Sequence, residues 1–182
     1  MRKKNFPSNE EILRLLKAGA VLSAVFLFPG AAKDLNKLLG PWQEFSAPYL
    51  RRKIRELKKE KLVSFKEKRG KLYVKITKDG EEKIKQFDFY NPKVKKPKEW
   101  DGKWRVVIFD IPNDYKKARE VFREKLKIIG LYQLQESVFI YPYPCFSEIN
   151  ILREMCGISP FVKFLLVDEV EGEKKLIEHF EL

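Results

Sequence analysis

Residues 104–142, WRVVIFDIPNDYKKAREVFREKLKIIGLYQLQESVFIYP, constrain the fold more than any other stretch of the chain. Trp104 to Ile111 is almost continuously apolar, as a central strand covered on one or both faces must be, and it runs into an acidic residue and a proline. Tyr115 to Ile129 then places Ala118, Val121, Phe122 and Leu126 at helical spacing, with Gly130 as the stop. Tyr132 to Tyr143 reads as one or two strands, and Ser147 to Cys156 as a helix burying Ile149, Leu152 and Met155. Phe161 to Val170 is another apolar strand.

That order, βαββαβ, predicts a ferredoxin-like domain with an antiparallel sheet over residues 104–182, and an α+β class for the chain. The charge is unevenly placed around it. Within the formal net charge of +12, residues 1–99 carry 26 Lys+Arg against 12 Asp+Glu, and residues 100–182 carry 12 against 14. A basic half joined to a near-neutral half suggests one module that meets a polyanion and another that dimerises or catalyses. The competing account is a generally Lys-rich, solubilised protein. Cys145, Cys156 and the single histidine, His179, are too few for a multi-ligand zinc cluster or a disulfide framework, and fit a reduced, cytoplasmic setting. Cys156 falls on the apolar spacing of its helix, as a core filler.

In the first half, Ser8 and Glu11 form a capping box, which starts a helix at Asn9 that is expected to run through Ile12, Leu13 and Leu16 to about Phe28. The uncharged run Ala18 to Ala32 is broken by Pro29-Gly30 and falls short of the ~20 apolar residues that span a bilayer, so it reads as a buried helix. No membrane segment is expected, and the acidic residues before the apolar part argue against a secretory signal. A shorter helix is expected from Ala31 to Leu39, closed by Gly40-Pro41, with Trp42 and Phe45 packing on the core from a connection.

Ala47 to Lys59, APYLRRKIRELKK, carries Leu50, Ile54 and Leu57 on one stripe and Arg51, Arg52, Arg55, Lys58 and Lys59 on the others. Such a helix, apolar beneath and cationic outside, can lie in a major groove with its basic side chains on phosphates and base edges. A solvated charged face is the bland reading. Leu62 to Lys66 and Leu72 to Thr77 alternate as strands around Glu67-Lys68-Arg69-Gly70, a hairpin with a basic tip, and Thr77 caps a short helix from Lys78 to Gln86. Three helices, a basic β-wing and a closing helix resemble a winged helix-turn-helix DNA-binding domain over residues 1–87. A proline-punctuated basic linker, residues 88–103, follows it.

The phrases WDGKWRVVIFDIP (100–112), GLYQLQESVFIYPYPC (130–145) and VDEVEGEKKLIEHFEL (167–182) resemble the central domain of the phenylacetate-catabolism repressor (PaaX) family. That domain in turn resembles the small CRISPR adaptation nuclease. The resemblance implies a homodimer built through the ferredoxin-like domains, presenting two winged helices to a palindromic operator. Longer members carry a further C-terminal domain, which is expected to be missing after Leu182, so their acyl-CoA effector is not carried over. In the nuclease relatives an aspartate at the end of the first strand, one from each subunit, is associated with metal-dependent cleavage; the matching position is Asp110. A carboxylate pair can hold Mg²⁺, which activates water and neutralises charge on phosphate. The alternative for Asp110 is a structural carboxylate accepting backbone N–H bonds near the next helix start. Asp114 is no more than a possible neighbour and more naturally a helix-start residue, and Ser137, which could donate a hydrogen bond near a dimer axis, reads rather as a buried strand serine.

The function expected is a DNA-binding transcriptional regulator, more in keeping with a repressor than an activator, working on duplex DNA as a cytoplasmic homodimer. Tyr49, Arg51, Arg52, Arg55, Lys58 and Lys59 would act from the recognition helix, and Lys66, Lys68, Arg69 and Lys71 from the wing. No cofactor is expected. The rival is a metal-dependent endonuclease or CRISPR adaptation component, with Asp110 as its catalytic and Mg²⁺-binding residue. A third reading is a DNA-bending scaffold with little sequence preference.

Overall fold

The computed structural model describes residues 6–20, 22–23, 42, 45–68 and 70–182, with Lys71 through its backbone alone. The chain divides into two compact units, Met1–Phe87 and Asp88–Leu182. Each combines helices with an antiparallel sheet, an α+β architecture.

In the first unit the Ser8 hydroxyl accepts the Glu11 N–H at 3.1 Å and the Glu11 carboxylate accepts the Ser8 N–H at 2.7 Å, opening helix α1 (Asn9–Lys17). The helix does not continue to Phe28 as the apolar run suggested. Gly19 turns left-handed at φ 88°, and the Gly19 and Ala20 N–H groups fold back onto the Leu16 and Leu15 carbonyls, satisfying the orphan acceptors of the last turn. The run then supplies a strand, β1 (Leu22–Ser23), pairing with β3. The helix expected at residues 31–39 lies outside the described residues. Trp42 and Phe45 pack into the core as expected.

Helix α2 (Ala47–Lys59) buries Leu50, Ile54 and Leu57 completely, each contributing about 1.5–3 kcal/mol by leaving water. The chain then turns at Lys61, a left-handed position at φ 62°, with the Leu62 N–H on the Leu57 carbonyl. Strands β2 (Val63–Lys68) and β3 (Lys71–Ile76) form the expected hairpin in a sheet of order β1-β3-β2. Thr77 caps helix α3 (Lys78–Tyr90), accepting the Gly80 N–H and donating to the Lys61 carbonyl. At Gly80 a β-carbon would collide with the Leu62 carbonyl oxygen and with Ile76, so the close approach requires glycine. The helix runs past its expected end at Gln86, because nothing before Asn91-Pro92 interrupts it; residues 88–90 of the expected linker are helical.

The second unit comprises β4 (Trp104–Phe109), a 3-10 turn (Asn113–Tyr115), α4 (Lys116–Ile129), β5 (Tyr132–Gln135), β6 (Val138–Tyr141), α5 (Phe146–Met155), β7 (Val162–Val167) and α6 (Glu173–Phe180). The antiparallel sheet has the order β5-β6-β4-β7. Val107, Phe109, Phe139 and Val162 pack under Phe122 and Leu126 of α4 and Ile149 and Leu152 of α5. The opposite face holds Trp104, Val106 and Ile140 against Leu176 of α6, a helix absent from the expected order. Three other expectations fail. Val121 and Met155 are each 38% exposed, because the inward stripes of their helices are filled by Phe122, Leu126 and Ile129 and by Ile149 and Leu152. Ser137 stands half-buried in the β5–β6 turn, not within a strand. Among the described residues no helix is long and apolar enough to cross a membrane.

Candidate functional site

Helix α2 carries its cations on the side away from its buried stripe. Pro48, Arg51, Arg52, Arg55, Glu56 and Lys59, on successive turns of the helix, line a shallow groove of about 520 Å³. Among the described residues Glu56 is the only acid in it, and it is shared: Lys53 approaches its carboxylate at 2.8 Å and Arg52 at 3.7 Å. The hydrogen bond from Lys53 holds the Glu56 carboxyl below its ordinary range, and the same bond raises the Lys53 ammonium. Glu56 therefore stays charged at neutral pH and orders two of the cations around it. Tyr49 is half-buried and acts as a platform, with the Arg52 guanidinium 4.8 Å from its ring centroid and Phe6 edge-on at 5.1 Å.

Lys58 points elsewhere, with its ammonium 4.2 Å from the Phe65 ring centroid on β2. Such a contact at a solvent-exposed site is worth about 0.5–1 kcal/mol and ties the helix to the hairpin. Of the wing cations, Lys66 and Lys68 are exposed on β2, whereas Arg69 and the Lys71 side chain lie outside the described residues. The cross-strand register pairs Lys66 with Tyr73 and Ser64 with Lys75. Sequence reading passed over Lys53, Tyr73 and Lys75. The alternation that marked β3 as a strand already placed Tyr73 and Lys75 opposite to Val74 and Ile76.

At the far end of β4, in the second unit, Asp110 is exposed and its N–H donates to the Phe161 carbonyl at 3.1 Å. Its carboxylate has no hydrogen bond or ion pair among the described residues, so the expected structural role of accepting backbone N–H groups is not found. The Phe109 N–H donates to the Ser137 carbonyl, which brings the β5–β6 turn beside the same strand end. No group of three or more His, Cys, Asp or Glu side chains suited to a metal ion occurs among the described residues.

Residues 97–177 match the family described as the PaaX protein central Cas2-like domain. The second unit is a PaaX-like domain. No curated protein matches the chain. The match begins just ahead of the residues that clamp the start of β4 in the PaaX-like unit. Arg105, 6% exposed, sends its guanidinium to both Asp101 carboxylate oxygens at 2.6 and 2.5 Å, and to the Lys103 and Pro142 carbonyls at 2.7 Å each. This fork-on-fork pair holds the Asp101 carboxyl down at about 2, chiefly through the Arg105 hydrogen bonds. Near Arg105, burial pushes the Cys145 thiol up to about 12, which leaves it protonated and unreactive at neutral pH. Cys156 is half-buried against the same core, and its thiol is likewise raised by burial.

Proposed function

We propose that the protein is a DNA-binding transcriptional regulator of the PaaX type, binding duplex DNA as a homodimer, with repression as the expected sign. The first unit is read as a winged helix-turn-helix with α2 as recognition helix and the β2–β3 hairpin as wing; the second is read as a ferredoxin-like pairing module. The observation that carries this is the groove on α2, where Arg51, Arg52, Arg55 and Lys59 stand together on a helix whose opposite stripe is locked into the core. Long cations on a rigid helix can meet phosphates and base edges without an ordering cost for the backbone. The charge distribution agrees: Met1–Phe87 holds 22 Lys+Arg against 10 Asp+Glu, and Asp88–Leu182 holds 16 against 16. The strand order β5-β6-β4-β7 supports the ferredoxin-like reading.

Pairing through the second unit is supported by the sheet face that α6 covers only in part. Leu165 of β7 is 42% exposed on that face, beside the half-buried Ile108 and Val138. The test of the whole reading is duplex binding by fluorescence anisotropy at rising salt. Neutralising about six phosphates per dimer gives a slope of log K on log salt near −5, and a slope near zero overturns it.

A second reading, metal-dependent cleavage at Asp110, is favoured by one observation: that carboxylate is exposed and unpaired, free to face its counterpart in a dimer. Mg²⁺-dependent cleavage that Asp110→Ala abolishes would establish it, and identical behaviour of the two proteins would remove it.

A further inference from the structure

Phe6 is an aromatic residue with 67% of its surface exposed, so it adds little to any core. Its place is nonetheless fixed. The buried Pro7 and the capping box of Ser8 and Glu11 hold the chain that follows it, and its ring stands edge-on to Tyr49 at 5.1 Å. Tyr49 lies in the first turn of α2, where residues three and four further on are its neighbours. Its ring accordingly meets the Arg52 guanidinium, 4.8 Å from the centroid, and the Lys53 ammonium, 5.8 Å away. One turn further on, Glu56 stands 3.7 Å from the Arg52 Nε and accepts the Lys53 ammonium at 2.8 Å. Arg52 is thus held between a ring and a carboxylate while its side chain stays 64% exposed on the groove. No hydrogen bond among the described residues occupies its two Nη groups, the outer end of the fork. Lys53 is ordered as well, but its ammonium is given to Glu56 and its side chain is only 20% exposed.

Resting on the DNA-binding reading, we infer that Arg52 is the side chain of α2 that reads sequence, through the O6 and N7 acceptors of a guanine in the major groove, and that Phe6 and Tyr49 are its positioning residues. A phosphate accepts from an ammonium or a guanidinium in many orientations, so it needs no brace. The guanine O6 and N7 lie in one plane, and the planar fork of an arginine matches them only when its own plane is held. A brace removes in advance the rotamer freedom that such a contact would otherwise cost. Other bases fit less well. Adenine sets a donor beside its N7 and cytosine offers only a donor, and a guanidinium, having no acceptor, can satisfy neither donor.

The test uses the full chain and a pool of duplexes of randomised sequence. Sequencing of the bound fraction gives the preferred duplex, and fluorescence anisotropy gives its affinity, that of the unselected pool, and the salt slope. Circular dichroism melts verify that each variant folds. The parent chain is expected to enrich a fixed guanine in each half-site. Arg52→Lys should weaken binding to the preferred duplex on the order of tenfold and lose that guanine, with the pool affinity and the salt slope unchanged. Tyr49→Leu and Phe6→Ala should lose part of the same preference, and Tyr49→Phe none of it. A parent chain that binds the pool and enriches no guanine, or an Arg52→Lys chain that keeps the preference, overturns the inference and leaves the DNA reading standing. Tyr49→Phe losing as much as Tyr49→Leu also overturns it, since the hydroxyl and not the ring would then make the contact. Phe6→Ala matching the parent overturns the part given to Phe6. No duplex binding by the parent chain removes the DNA reading and the inference together.

Discussion

The three-stranded sheet of the first unit and the four-stranded sheet of the second solve opposite problems. In the first, one face of the hairpin is apolar and sits on a core shared with α1 and α2, while the other is lined with lysines that need water or an anion. In the second, both faces are apolar: two helices close one, and α6 closes only part of the other. A sheet with a cationic face gains by meeting a polyanion, and one with an incompletely covered apolar face gains by meeting another apolar surface. On the proposed reading, the two binding tasks fall to different units.

The sharpest way to break that assignment is to remove the α2 cations. R51A/R55A should weaken duplex binding by about 100-fold at 100 mM salt with its melting temperature unchanged, measured by anisotropy and calorimetry. A comparable loss from alanines at Lys116 and Lys117, in the balanced unit, would end the division. Next in size is Gly80→Ala, which should destabilise the first unit by about 2 kcal/mol in chemical denaturation, because the added carbon meets backbone that cannot yield. Leu165→Asp should raise the dimer dissociation constant at least tenfold by sedimentation, without unfolding the chain, if the partly covered face is the pairing surface.

Acid sensitivity separates the units more gently. Asp101 has its carboxyl lowered in the folded state, so its share of stability is present above its unfolded pKa near 3.8 and is lost as pH falls toward about 2. Asp101→Asn should flatten the acid limb of the second unit's stability profile over that window and leave the first unit's profile unaltered. The smallest effect expected is at Lys61, whose left-handed backbone closes α2. Lys61→Gly should raise stability by about 1 kcal/mol or less in urea titration, since glycine adopts that conformation without strain.

Several elements were legible from residues alone. The bounds of α2 followed from Leu50, Ile54 and Leu57, the hairpin from its alternation, and the βαββαβ succession from the apolar runs between Trp104 and Val167. These patterns are local, and burial of one face imposes their period directly. The apolar segment after Lys17 was not legible in the same way. A short uncharged run suits a buried helix or a strand equally, and pairing with β3 decided for the strand at Leu22. Tertiary structure alone also decided that Val121 and Met155 face outward and that α6 covers Trp104. Each of these depends on which distant residues fill the space, and no window of sequence contains that information.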